Sequence, residues 1–138
     1  MNDQGQKYAA VLSRNAERLY RAMTFAYALV ACVDKRLTAA ETRRFVDKVR
    51  STPALQALPE ASVIADFNTV ATRFFNDYEA EHKIAIEHIA QIKDWPQERA
   101  IVIAAAQIAV VADRDLKPQE EAIIAEICRI LGLDPDKF

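Results

Sequence analysis

Four carboxylates stand at matching points of one repeated phrase. Asp34-x-x-Leu37-x-x-x-Glu41 recurs as Asp113-x-x-Leu116-x-x-x-Glu120, every member displaced by 79 residues. Oxygen donors of this type suit a hard divalent cation, Ca2+, Mg2+ or Mn2+, or the basic side chains of a partner. Each aspartate follows an apolar helical stretch and so falls at a helix C-terminus, where the macrodipole disfavours an anion by roughly a few tenths of a kcal/mol. Something should compensate. A local answer exists: an aspartate accepts N–H groups of its own turn, and Glu41 closes a capping box with Thr38. The second copy weakens that answer, because its N-cap position holds Lys117, which has no acceptor, yet Glu120 is retained. One cation shared by Asp34, Glu41, Asp113 and Glu120 would serve both copies; turn and cap structure alone, or an acidic face for a partner, are the alternatives. An EF-hand is excluded, since its loop runs through about twelve residues around a central glycine.

Other chemistry is sparse. His82 and His88 are too far apart on a helix to chelate one ion as an i, i+4 pair would, and they read as isolated surface residues. There is no HExxH, no nucleophile elbow and, with two glycines in 138 residues, no phosphate-cradling loop. Cys32 and Cys128 lie on apolar helical stretches and are expected to be buried, reduced thiols. No catalytic residue is therefore assigned, and the chain reads as a non-enzymatic adaptor or sensor. The competing reading is an enzyme that processes an oxyanion or another small molecule through the acidic cluster or a thiol. No cofactor is required beyond the candidate divalent cation.

The elements that must position these groups are helices. Half the residues are apolar (51 %), glycine and proline are scarce, and the dominant residues are good helix formers. Such a chain suits one all-α domain with a sizeable core. A net charge of −2 with interspersed signs leaves no basic stripe for nucleic acid. Met1 to Lys7 lacks the apolar core of a signal peptide, and the apolar stretches Ala22 to Val33 and Ile101 to Ala112 fall short of the roughly 20 residues that span a bilayer. They read as buried core helices, with no direct membrane insertion. A cytoplasmic location is expected.

Periodicity places the helices. Residues 7–33 read as one long helix with Tyr20, Met23, Tyr27 and Val30 on its stripe. Thr38 and Glu41 open the next, which buries Phe45, Val46 and Val49. Thr52-Pro53 starts a short piece ended by Leu58-Pro59. Val63, Phe67, Val70, Phe74 and Tyr78 share a face, the pattern loosens from Asp77 to Lys83, and Ile86, Ile89 and Ile92 resume it. Phe74 and Phe75 cannot share a face, so one of them is expected at the surface. Asp94-Trp95-Pro96-Gln97 opens the apolar helix 97–112. A last helix carries Ile123, Ile124, Ile127 and Leu131, with Gly132 as a left-handed C′ residue and Pro135 blocking continuation. About seven helices result, and the repeat implies two hairpin halves related by a pseudo-twofold.

The run Ile127-Cys128-Arg129-Ile130-Leu131-Gly132-Leu133-Asp134-Pro135 after an acidic turn and helix resembles the TerB-like tellurite-resistance family. So do Ser51-Thr52-Pro53-Ala54-Leu55, Val63-Ile64-Ala65-Asp66-Phe67-Asn68 and Asp77-Tyr78-Glu79. The resemblance covers residues 20–138 and leaves 1–19 as an N-terminal helical extension. It implies an all-helical fold, metal binding at the acidic turns, and a role in stress responses beside other stress-response proteins, including proteins at the inner membrane face. No catalytic mechanism comes with it. The chain departs from the family pattern at Lys35 and Arg114, which replace turn glycines, and at Ala80-Glu81-His82, which also lacks one. A non-glycine residue in the left-handed region costs about 1 kcal/mol. The new cations also compete with any ion at the aspartates.

Overall fold

Ser13 begins the first long helix. Its backbone is extended (φ −65°, ψ 164°) and its hydroxyl accepts the Ala16 N–H at 3.1 Å, so α1 spans Arg14–Ala31. A helix unbroken through Ser13 is thereby corrected, because a cap residue cannot carry helical dihedrals through; positions 7–11 of the expected helix lie outside the described residues. The computed structural model describes residues 12–111 and 117–137. Among them every regular element is a helix: α1, α2 (Ala39–Arg50), α3 (Glu60–Asn76), α4 (Tyr78–Ala90), α5 (Pro96–Val111) and α6 (Pro118–Ile130), with 3-10 turns at Pro53–Leu55 and Pro135–Lys137. Six α-helices and two short 3-10 turns are present among the described residues, close to the seven or so helices expected of the chain.

The two apolar stretches are the centre of the molecule. In α1 every residue from Ala22 to Ala31 is buried, and in α5 Val102, Ile103, Ala105, Ala106 and Ala109 are. These two helices share the most extensive contact in the fold. Small residues on both allow close approach, and burial of their apolar surface is the main driving force. The second helix of each repeated unit also touches the long helix of the other unit, α2 on α5 and α6 on α1. That reciprocal pattern is what two copies related by a twofold would make.

Tyrosine hydroxyls tie the remaining helices to α1. Tyr27 donates to the Glu41 carbonyl in α2, Tyr78 of α4 donates to the Leu29 carbonyl, and Tyr20 donates to Asp66 of α3 at 2.6 Å. Tyr27, Phe45 and Phe67 form an aromatic cluster beneath the α1–α2 corner, with centroids 4.8–5.6 Å apart. Helices α3 and α4 are separated by Asp77 alone, whose extended backbone (φ −156°, ψ 88°) breaks α3 while its carboxylate caps Ala80 N–H at 3.1 Å. Phe74 is buried and Phe75 is 40 % exposed, the division their adjacency required. At the end of α6 Gly132 adopts φ +71°, and Leu133 N–H returns to the Cys128 carbonyl at 2.8 Å, completing the expected stop.

Candidate functional site

The first acidic turn leaves α1 at Cys32. Asp34 Oδ1 accepts the Arg36 N–H at 3.1 Å, which closes an Asx turn. Lys35, in the position where glycine was expected, adopts φ 62° and accepts the strain of the left-handed region. Thr38 then caps α2: its hydroxyl accepts Glu41 N–H at 3.1 Å, and Glu41 Oε1 accepts Thr38 N–H at 2.9 Å. Glu41 is only 5 % exposed, so its carboxylate serves this box from within the corner.

The second unit presents its own N-terminus to the same place. Lys117 precedes α6 with extended backbone, and Pro118 supplies the first helical φ. Lysine has no acceptor, so only the reverse arm of a capping box forms, Glu120 Oε1 accepting Lys117 N–H at 3.1 Å. Glu120 is 2 % exposed. The Lys117 ammonium reaches across to Asp34 Oδ2 at 2.9 Å, joining residues 83 apart in the chain. Asp113, with its neighbours Arg114 and Leu116, lies outside the described residues.

This ion pair is the compensation that the helix dipoles call for. Asp34 follows a helix C-terminus and Lys117 stands at a helix N-terminus, each the wrong sign for its own dipole. Placed together, they cancel one another's penalty. Burial pulls the Asp34 carboxyl upward, but hydrogen bonds from Lys117 and the Arg36 N–H outweigh it and hold the group below its ordinary range. Both side chains keep solvent contact, 19 % for Asp34 and 38 % for Lys117. The pair is therefore accessible and worth little net energy, about 0–1 kcal/mol.

Placed this way, Asp34, Glu41 and Glu120 do not form a ready cation cage. Each carboxylate has a cation or backbone N–H on it, and an ion at Asp34 must first displace Lys117. Among the described residues no group of three or more His, Cys, Asp or Glu side chains is arranged to hold a metal. The sequence marks Lys117 as an N-cap residue without an acceptor; that it pairs with Asp34 follows only from the docking of the two units, since a cation at an N-cap is electrostatically misplaced unless an anion waits nearby.

The other candidates lie elsewhere. Neither histidine is isolated: His82 Nε2 is 2.8 Å from Glu126 Oε1, which bridges α4 to α6, and the His88 ring stacks on Phe25 with centroids 4.5 Å apart. Both cysteines are buried free thiols. Burial, with Glu41 and Asp34 nearby, pushes the Cys32 thiol up to about 12, and burial also raises Cys128. A nucleophilic thiolate needs the opposite. No helix among the described residues is long and apolar enough to cross a membrane.

With this geometry in place, the family is decided by comparison with family models. Residues 20–138 match the model described as Tellurite resistance protein TerB. The chain belongs to the TerB family. The match covers both repeated units of this TerB-family domain and the α3–α4 segment between them. Searches of curated proteins and of solved structures returned no match.

Proposed function

We propose that this TerB-family chain is a non-enzymatic adaptor or sensor module of the tellurite-resistance stress response, and that its responsive element is the corner where the two units meet. The observation that carries this reading is the Lys117–Asp34 contact. It is a partly exposed ion pair between the two halves of a duplicated fold. An external cationic group, either a divalent ion or a basic side chain of a partner protein, competes with Lys117 for the same carboxylate. Exchange costs little because the internal pair contributes only about 0–1 kcal/mol. Any exchange alters the contact that couples α1 to α6, so occupancy at the corner is transmitted to the relation between the units.

The experiment is amide NMR titration of the wild type and of Lys117→Met with Ca2+, Mg2+ and Mn2+. Amides from Asp34 to Arg36 and from Lys117 to Glu121 should respond together. The variant should respond at several-fold lower metal concentration, since its competitor is gone. If neither protein responds at millimolar metal, the cation branch fails and a basic partner group is left as the occupant.

The enzyme reading has weaker support. A site for an oxyanion would need an electropositive cavity at the corner, where the Lys117 ammonium is already held by Asp34. A thiol-based site would need a thiolate, and both thiols are buried with raised pKa.

A further inference from the structure

A second site stands along α1, its lining residues there running from Glu17 to Phe25, all of them before the acidic turn that follows Ala31. A cavity of about 340 Å3 opens between α1, α3 and α4. Its volume falls at the small end of the range used by ligand sites, about 300–1,000 Å3. The apolar wall is Leu12, Phe25 and Val70; the polar edge is Arg21, Arg73 and His88, with the Tyr20–Asp66 pair alongside. Asp66, Thr69, Val70 and Arg73 line it at one-face helical spacing, a pattern that the core stripe of α3 conceals in the sequence.

Three observations indicate what the cavity takes. Arg73 is exposed and its side chain makes no hydrogen bond or ion pair among the described residues, whereas Arg21 is held by Glu17 at 2.6 Å. His88 Nδ1 is buried without a hydrogen-bond partner, although the ring is stacked flat on Phe25. A second cleft shares Arg21 and His88 and adds Arg14 and Arg18, so cations outnumber Glu17 and Asp66 around the opening. Asp66 Oδ2 already accepts from Tyr20, which reduces the carboxylate's pull on a bound cation. An inorganic oxyanion would leave the Phe25 and Val70 walls uncovered.

We propose that this cavity binds a small organic anion, a carboxylate carried on an apolar body, with the carboxylate at Arg73 and the body against Phe25 and Val70. Arginine is suited to the head group because its planar fork matches a carboxylate. The ring of His88 then lies at the junction of head and body, with Arg21, Arg73 and Glu87 as the charged groups that act on it and Glu17 and Asp66 nearby. Without a ligand, burial and then Arg21 hold the imidazole below its ordinary range. A bound anion offsets these cations and raises it.

The test is titration of the intact chain with benzoate, benzamide and inorganic phosphate, followed by NMR of Phe25, Val70 and His88. Benzoate should give saturable shifts at all three residues and raise the His88 pKa. Benzamide, equal in shape but neutral, should bind about tenfold more weakly, the loss of one charge-assisted contact. Arg73→Gln should reduce benzoate affinity by about tenfold and leave benzamide unchanged; Arg73 is exposed, so the fold should survive. Absence of saturable shifts, equal affinity for benzamide, phosphate reproducing the benzoate shifts, or indifference to Arg73→Gln would each overturn the proposal.

Discussion

Lys117 and Asp34 sit on opposite members of a duplicated unit and meet at 2.9 Å. Each charge is misplaced on its own helix, an anion after the C-terminus of α1 and a cation before the N-terminus of α6. A favourable local placement would have reversed the signs. The two errors correct one another only when the units dock, so the pair reports on docking. It also explains why this chain tolerates a lysine at an N-cap that offers the backbone nothing.

Replacing Asp34 by Asn keeps an acceptor for the Arg36 N–H and removes the charge. Stability should fall by about 0.5–1 kcal/mol, a small value because both groups are partly solvated. The difference should shrink with added salt. The pH dependence follows from the carboxyl being held below its ordinary 3.8 in the fold. The unfolded chain then takes up the proton first, so the contribution is fully present above 3.8 and disappears as pH falls through the lower folded value. Urea unfolding of the two proteins between pH 2.5 and about 7 should show curves that converge at the acid end; a difference that stays constant to low pH would contradict the ion pair.

Left-handed backbone supplies a pair of opposite expectations. Lys35 stands at φ 62° and Gly132 at φ +71°. Lys35→Gly should stabilise the fold by about 0.5 kcal/mol, relief of strain less the extra entropy of the unfolded chain. Gly132→Ala should cost about 1 kcal/mol from strain alone, because the new Cβ would meet nothing nearer than Arg99 Nη1 at 3.7 Å. Denaturant midpoints that move in the same direction for both variants would refute this account.

Thiol accessibility can be read directly. Cys32 and Cys128 are both 0 % exposed, with Cys32 pushed up to about 12. Iodoacetamide at pH 8 should leave the native chain unmodified by mass spectrometry and label both thiols in urea. Rapid native labelling of Cys128 with the fold retained would restore the thiol-based enzyme reading.

Much of the architecture was legible because helices announce themselves locally. The stripes through Met23, Phe67 and Ile127, the Thr38–Glu41 box and the Gly132 stop all depend on residues within about a turn of one another. Boundaries that depend on one cap were harder to read. Ser13 and Asp77 each divide a pattern that periodicity carries through, because an extended φ/ψ at one residue leaves the apolar spacing on either side intact. The acidic site was only half legible. The sequence named Asp34 and Glu41, and the structure gives both of them backbone partners.

The amino-acid sequence alone determined the helical class, the duplication and the identity of the acidic residues, since composition, repeat offset and 3.6-residue spacing are properties of short stretches. Tertiary structure decided which cation faces Asp34, which acid faces His82 and which tyrosine faces Asp66, across separations of 83, 44 and 46 residues. No local rule specifies such partners. They follow from how the buried faces of α1 and α5 seat against each other, and that seating is fixed by the packing of many side chains at once.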